Sequence, residues 1–249
     1  MKIKNTIIII VLPIILAIII KSINIFSFIC AESIYPSISF IDPDNSFLII
    51  SIHHIVQAFV AIVIIILYGI MRGIALKDFG FRKAGFIDAL KWLKFFIVTW
   101  AIIQIISALI LVNRFNQPII FPFSLNLQNI LGYLSFQMFL SGPSEELLFR
   151  VIVITILFDL TKNLLGKQGF NLYAICISTL IFMFDHINFC ISPIGVAHFN
   201  VLQQITVMVF GVFYGWLFVK FKNYWIVALA HSALNLVIVL TSLILLAFQ

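Results

Sequence analysis

"FLIISIHHIVQAFVAIVIIILYGIM", residues 47–71, runs without a charged side chain. As a helix rising 1.5 Å per residue it is about 37 Å long, enough to cross a hydrocarbon core of about 30 Å. Residues 95–112 and 224–248 are runs of the same kind. Transmembrane barrel strands are shorter and alternate apolar with polar positions, so these runs read as helices. The whole chain agrees: 63% of its 249 residues are hydrophobic and 10% are charged, against about 25% charged in a soluble domain.

The expected fold is all-α, a polytopic transmembrane helical bundle of about seven spans (6–8). Hydropathy places them near 6–26, 47–71, 93–112, 131–158, 172–189, 204–219 and 224–248. No soluble domain fits between them, so 1–249 reads as a single integral-membrane domain. Residues 1–130 form N-terminal spans with a basic loop, and 131–249 form the core that carries the chemistry. The N-terminus, "MKIKNTIIIIVLPIILAIIIKS", has the basic start and apolar centre of a signal peptide, but no clear cleavage site follows, and it is read as a retained first span. Cys30, Cys176 and Cys190 show no C-x-x-C spacing, which indicates neither a disulfide framework nor a thiolate zinc site.

The net charge of +6 follows topology rather than a nucleic-acid partner. With the N-terminus inside, twelve of the 15 basic residues fall on inner segments; Lys21 and Arg114 lie on or near the outer side and Arg150 lies within a span. That asymmetry predicts a cytoplasmic N-terminus, and the isoleucine-rich composition points to a bacterial cytoplasmic membrane. The segment "LKDFGFRKAGFIDALKWLKFF", 76–96, is either an interfacial helix on an anionic leaflet or a basic loop.

Span 4 is too long, about 42 Å for 131–158, and Gly142-Pro143 offers a break. Proline favours a helix's first turn, so a second helical segment is expected from Pro143 or Ser144. Immediately after it comes "SEELLFR". Ionisable groups inside a membrane are costly and mark function by default. Those embedded here are Glu145, Glu146, Arg150, Asp185, His186 and His231, with the amide of Asn235 and the pair His53 and His54 as further polar outliers.

Glu146 and Arg150 stand at i, i+4 with the acid first, the favourable order for an ion pair. Glu145, rotated by about 100°, has no such partner and suits a general base. Phe182 shares a helix face with His186, and His231 shares one with Asn235. Two mechanisms fit. In one, Glu145 activates water, His186 holds water or carboxylate, and His231 and Asn235 stabilise an oxyanion. In the other, Glu145, His186 and His231 form a His₂Glu set around one divalent metal, zinc by ligand type.

Glu145-Glu146-x-x-x-Arg150, Phe182-x-x-x-His186 and His231-x-x-x-Asn235, in this order on three late spans, resemble the signature motifs of the CAAX protease and bacteriocin-processing (CPBP, or Abi) family of intramembrane endopeptidases, which includes the type II CAAX prenyl proteases. The resemblance covers about residues 141–247, with "DFGFR" at 78–82 similar to a further family element. It implies Glu145 as catalytic base, His186 as its water-positioning or metal-binding partner, His231 and Asn235 as oxyanion stabilisers, and Glu146 and Arg150 as supports. His53 and His54 read as interhelical hydrogen-bonding residues, Asp185 and Phe182 as cavity-lining, and Gly211-x-x-x-Gly215 as close helix packing.

The expected activity is endopeptidase cleavage of a membrane-associated or lipidated peptide or protein, in a water-filled cavity between spans 4, 5 and 7 with a cytoplasmic entrance. The partners are that substrate and membrane lipid. The alternative is a self-immunity or peptide-binding protein that uses the same fold without proteolysis. A proton-relay transporter has suitable residues but no inverted repeat.

Overall fold

The computed structural model describes residues 2–191 and 194–247. The helices are α1 (Lys2–Ile38), α2 (Leu48–Arg72), α3 (Phe86–Phe115), α4 (Leu127–Phe136), α5 (Gly142–Glu146), α6 (Val153–Asp185), α7 (Val201–Phe221) and α8 (Tyr224–Leu246). One antiparallel hairpin, β1 (Asn188–Ile191) with β2 (Ile194–His198), joins α6 to α7. Six helices are long and apolar enough to cross a membrane. A seventh run continues from α4 through α5 into α6, until Gly166 turns the chain at φ 65° and ψ 171° and separates it from Gln168–Asp185. The all-α polytopic bundle is therefore present, with span 4 interrupted.

The interruption differs from the expected one. No new helix starts at Pro143, because Gly142 keeps helical angles (φ −56°, ψ −53°). Instead two π-helical stretches, Gln137–Ser141 and Leu147–Ile152, flank α5. Proline has no N–H to donate and crowds the carbonyl four residues back, and a widened turn just before Pro143 accommodates both defects. Helix α5 is thus displaced from a regular helical path at the residues that carry Glu145 and Glu146.

Two further expectations change. No separate interfacial helix forms over 76–96; a 3₁₀ turn, Leu76–Phe79, is followed by a loop, and α3 runs unbroken from Phe86. Glycines in the left-handed region at 80 and 85 end the possibility of continuous helix there. The loop is clasped to the α7–α8 corner: Arg82 Nε donates to Lys222 O (2.7 Å), Asn223 Nδ2 donates to Arg82 O (2.7 Å), and Tyr224 N donates to Gly80 O (2.9 Å). This is the structural work of the 78–82 element. Span 5 stops at Asp185 rather than 189, and the residues beyond turn into the hairpin.

Close packing brings the core together. A Cβ on Gly211 would lie 2.8 Å from Thr179 Cγ2, and one on Gly215 would lie 3.3 Å from Ser178 Oγ, so the glycine pair lets α7 approach α6. Arg150, Tyr214, Phe149 and Phe218 are among the largest fully buried side chains.

Candidate active site

The contact that builds the site is between α5 and α8. A Cβ on Gly142 would fall 2.8 Å from Ser232 N and 2.9 Å from His231 Cβ, so only glycine permits this approach. It presses Glu146 against His231: Glu146 Oε1 accepts from His231 Nδ1 at 2.8 Å and from Arg150 Nη1 at 3.0 Å. Both members of the Glu146–Arg150 pair have no exposed side-chain surface. Arg150 also donates to Gly211 O (3.3 Å), and its guanidinium lies 4.6 Å from the Phe182 ring centre and 5.2 Å from that of Tyr214. A buried pair of this kind is tolerable because hydrogen bonds and ring faces replace water around it.

The histidine tautomers follow from their partners. Glu146, paired with a guanidinium, is an acceptor, so His231 Nδ1 carries the proton and its Nε2 faces Glu145 Oε2 at 3.8 Å. The His231 ring is stacked on Tyr214, 4.9 Å between centres and 24° between planes, which fixes its plane. His186 Nδ1 meets the carbonyl oxygen of Phe182 at 2.9 Å, one turn earlier on the shared face. A carbonyl only accepts, so His186 Nδ1 also bears the proton and Nε2 keeps its lone pair. Asn235 Nδ2 donates to Ser141 Oγ at 3.1 Å, which orients the amide and leaves one of its N–H groups uncommitted.

Glu145 is the exception in this cluster. Its side chain is 14% exposed, and its Oε2 is buried without a hydrogen-bond partner. Its carboxylate oxygens lie 3.8 Å from His231 Nε2 and 3.9 Å from His54 Nε2. Both separations are too long for direct hydrogen bonds and short enough for one water to touch carboxylate and ring.

His54 was not among the predicted site residues. It does make the expected interhelical hydrogen bond, Nδ1 to Ser144 Oγ at 2.6 Å, but it also walls the cavity beside Glu145. Asp185 lines the same cavity and is held from α1, where Lys21 Nζ lies 3.7 Å from Oδ1 and Asn24 Nδ2 donates to Oδ2 at 2.6 Å. Lys21 Nζ also donates to the carbonyls of Asp185 (2.8 Å) and Ile187 (3.0 Å) at the C-terminal end of α6. The only sequence signal for these groups was a polar residue out of place in an apolar helix.

Two cavities meet at this cluster. A polar one of about 170 Å³ is lined by Glu145, His54, Gln57, Asp185 and His186. A larger, mainly apolar one of about 750 Å³ lies between α3, α7 and α8 and reaches His186, His231 and Asn235, with Phe182 in its wall. His186 borders both. The polar cavity opens beside Asn188, His198 and Gln203 at the hairpin end, whereas the basic loops around Arg82 and Lys222 are at the other end of the helices. A cytoplasmic N-terminus and a cytoplasmic entrance to this cavity therefore do not hold together. Among the described residues no group of three or more His, Cys, Asp or Glu side chains is arranged to hold a metal ion, so Glu145, His186 and His231 as they stand do not fit the zinc centre that their residue types suggested.

Residues 125–237 match the family model for type II CAAX prenyl endopeptidases, Rce1-like. This stretch is similar to that family of proteases. No curated protein and no solved structure matches the chain. The matched region begins two residues before α4 and ends within α8. Glu145, Glu146, Arg150, Phe182, Asp185, His186, His231 and Asn235 all fall inside it, whereas Lys21, Asn24, His54 and Gln57 come from α1 and α2, outside it. Six long apolar helices among the described residues make this an integral membrane protein, and the family that it resembles over 125–237 is one of proteases.

Proposed function

We propose that the protein is an intramembrane endopeptidase in which Glu145 activates water against a peptide bond presented from the apolar cavity. The observation that carries this reading is the position of Glu145, a carboxylate with an unengaged buried oxygen in the polar cavity, which meets the apolar cavity at His186. Water held between Glu145 and the Nε2 atoms of His54 or His186 loses a proton to the Glu145 carboxylate, and its oxygen attacks the scissile carbonyl carbon. The carbonyl π pair moves onto oxygen. The free N–H of Asn235 stabilises that oxyanion, and His231 polarises the region while Glu146 and Arg150 keep its ring in place. On collapse the C–N bond breaks, and the proton held by Glu145 passes to the leaving nitrogen. The products are one carboxyl terminus and one amine, and Glu145 is again ionised.

The apolar wall of Phe96, Trp100 and Phe210 beside the site favours substrates that bring an apolar segment or lipid anchor. Prenylated CAAX-type C-termini and apolar leader peptides share that chemistry. The deciding experiment is cleavage of quenched fluorescent peptides, lipidated and unlipidated, by purified protein in detergent, with wild type beside Glu145→Gln and with a chelator arm. Wild-type cleavage that is lost in the variant, with unchanged thermal unfolding, supports the proposal; cleavage abolished by the chelator would replace the metal-free step. Binding of the peptides without cleavage by either protein would overturn it in favour of sequestration, the mode of an immunity protein.

A further inference from the structure

At the end of the bundle away from Glu145, a separate cavity of about 340 Å³ is walled by Arg82, Asp78, Asp159, Lys162, Lys222 and Phe158. Its construction begins with backbone strain. Lys222, in the two-residue corner between α7 and α8, sits at φ 48°, a left-handed conformation that non-glycine residues seldom adopt. It is held there by its own N–H to Phe218 O (2.8 Å) and by Arg82, which donates to Lys222 O (2.7 Å) and Phe221 O (3.0 Å).

The side chain placed by that corner is unusual for a lysine. Its ammonium lies 4.9 Å from the ring centre of Phe158 and 5.6 Å from that of Phe218, and no carboxylate pairs with it among the described residues. Burial, reinforced by the nearby Arg82 charge, pushes its pKa down to about 8. Lys162 Nζ approaches the same Phe158 ring at 4.8 Å, so two ammonium groups share one ring. One carboxylate in the cavity wall is already committed: Asp159 Oδ2 accepts from Arg72 Nε (2.7 Å) and Tyr68 Oη (2.8 Å). Counting Arg72, the groups around the cavity comprise four cations, Arg72, Arg82, Lys162 and Lys222, against Asp78 and Asp159.

Phe158 in the cavity wall is an exposed large apolar residue, as are Ile70 and Met71 shortly before the lining Gly73 and Trp225 shortly after the lining Lys222. Such residues belong in lipid, and a polar cavity just beyond them is at the depth of headgroups. We infer that this cavity binds a phosphate group between Lys162, Lys222 and Arg82, supplied by an anionic phospholipid headgroup. The anion would complete the charge balance that the half-buried Lys222 ammonium lacks, and these apolar residues would hold the acyl chains. The inference does not depend on whether Glu145 cleaves peptides.

The test is thermal unfolding and lipid retention in native mass spectrometry for the purified full chain. Three additives are compared: short-chain phosphatidylglycerol, short-chain phosphatidylcholine and inorganic phosphate. Wild type should be stabilised by phosphatidylglycerol at concentrations where phosphatidylcholine does nothing. Lys162→Gln with Lys222→Gln should weaken that response by about 10- to 30-fold, the order expected of two cations at an anionic surface. Lys162→Gln alone, at an exposed position that folding does not need, should give part of the loss, and Lys83→Gln, outside the cavity, should give none. Equal responses from wild type and double variant, or from the two lipids, would overturn the site. A response to inorganic phosphate as strong as to phosphatidylglycerol would overturn the lipid as the source.

Discussion

The region matched by the family model and two of the helices that precede it, α1 and α2, contribute to one cavity in different ways. Within the matched region, one carboxylate oxygen of Glu146 accepts from both Arg150 and His231, and His186 is fixed by Phe182 one turn away. Glu146–Arg150 and Phe182–His186 are i to i+4 pairs on single helices, and the Glu146–His231 bond is made where Gly142 meets α8. Helices α1 and α2 instead supply isolated polar side chains, Lys21, Asn24, His54 and Gln57, each reaching across to that region. The difference teaches that the matched region holds a rigid reacting cluster, while its orientation to water is completed by spans whose sequence shows little more than hydrophobicity.

The largest expected effects separate two adjacent carboxylates. Glu145→Gln should lower kcat by about 10²- to 10⁴-fold, the contribution of a general base, with little change in stability. Arg150→Met leaves Glu146 buried and unpaired, so it should cost about 3 to 5 kcal/mol of stability and reduce the yield of folded protein. If Arg150→Met unfolded at the wild-type temperature, the division between a reacting carboxylate and a structural one would be wrong.

The next effect tests whether α2 takes part in the chemistry. His54→Gln should reduce kcat by about 10- to 100-fold, as loss of a group orienting a reacting residue does, with KM for an apolar peptide nearly unchanged because the apolar cavity is untouched. Unaltered kcat would make α2 a mere wall. Lys21→Met should have a smaller effect, up to about 10-fold in kcat, since it acts on His186 through the carbonyls of Asp185 and Ile187. Asp185→Asn, which can keep the Asn24 contact, should recover part of that activity relative to Asp185→Leu; identical losses would reduce the contact to general packing.

This ordering follows how far each feature could be read in the sequence. The spans were legible because 20 or so apolar residues have one physical explanation. The Glu146–Arg150 and Phe182–His186 contacts were legible because helical spacing fixes them before any tertiary structure exists. Depth was less so: spacing within α8 says nothing of where His231 stands against Glu145, whereas the Gly142 approach makes them neighbours. Pro143 advertised an irregularity, but spacing does not distinguish a fresh N-terminus from a π turn. His54 and Lys21 act across 90 and 164 residues of chain, and no local pattern encodes such partners.

The smallest expected effect concerns the connection that sets α2 against α1. Asp42 is buried, and its carboxylate accepts from Ser46 N (2.9 Å), Ser46 Oγ (2.8 Å), Phe47 N (2.7 Å) and Leu48 N (2.7 Å), taking up N–H groups at the start of α2. Burial alone would raise its pKa, but the hydrogen bonds from Phe47, Ser46 and Leu48 outweigh it and hold the carboxyl below its usual 3.8. A folded pKa below the unfolded one means that the ionised form stabilises the fold: the contribution is complete above about pH 4 to 5 and is lost as pH falls through the folded value. Asp42→Asn should therefore unfold more easily than wild type at pH 7, by about 1 kcal/mol as for a lost helix cap, and the gap should close on acidification below pH about 4. A gap that stayed constant from pH 7 to pH 3 would show that the neutral amide's packing, and not the carboxylate's charge, decides how α2 begins and hence where it delivers His54.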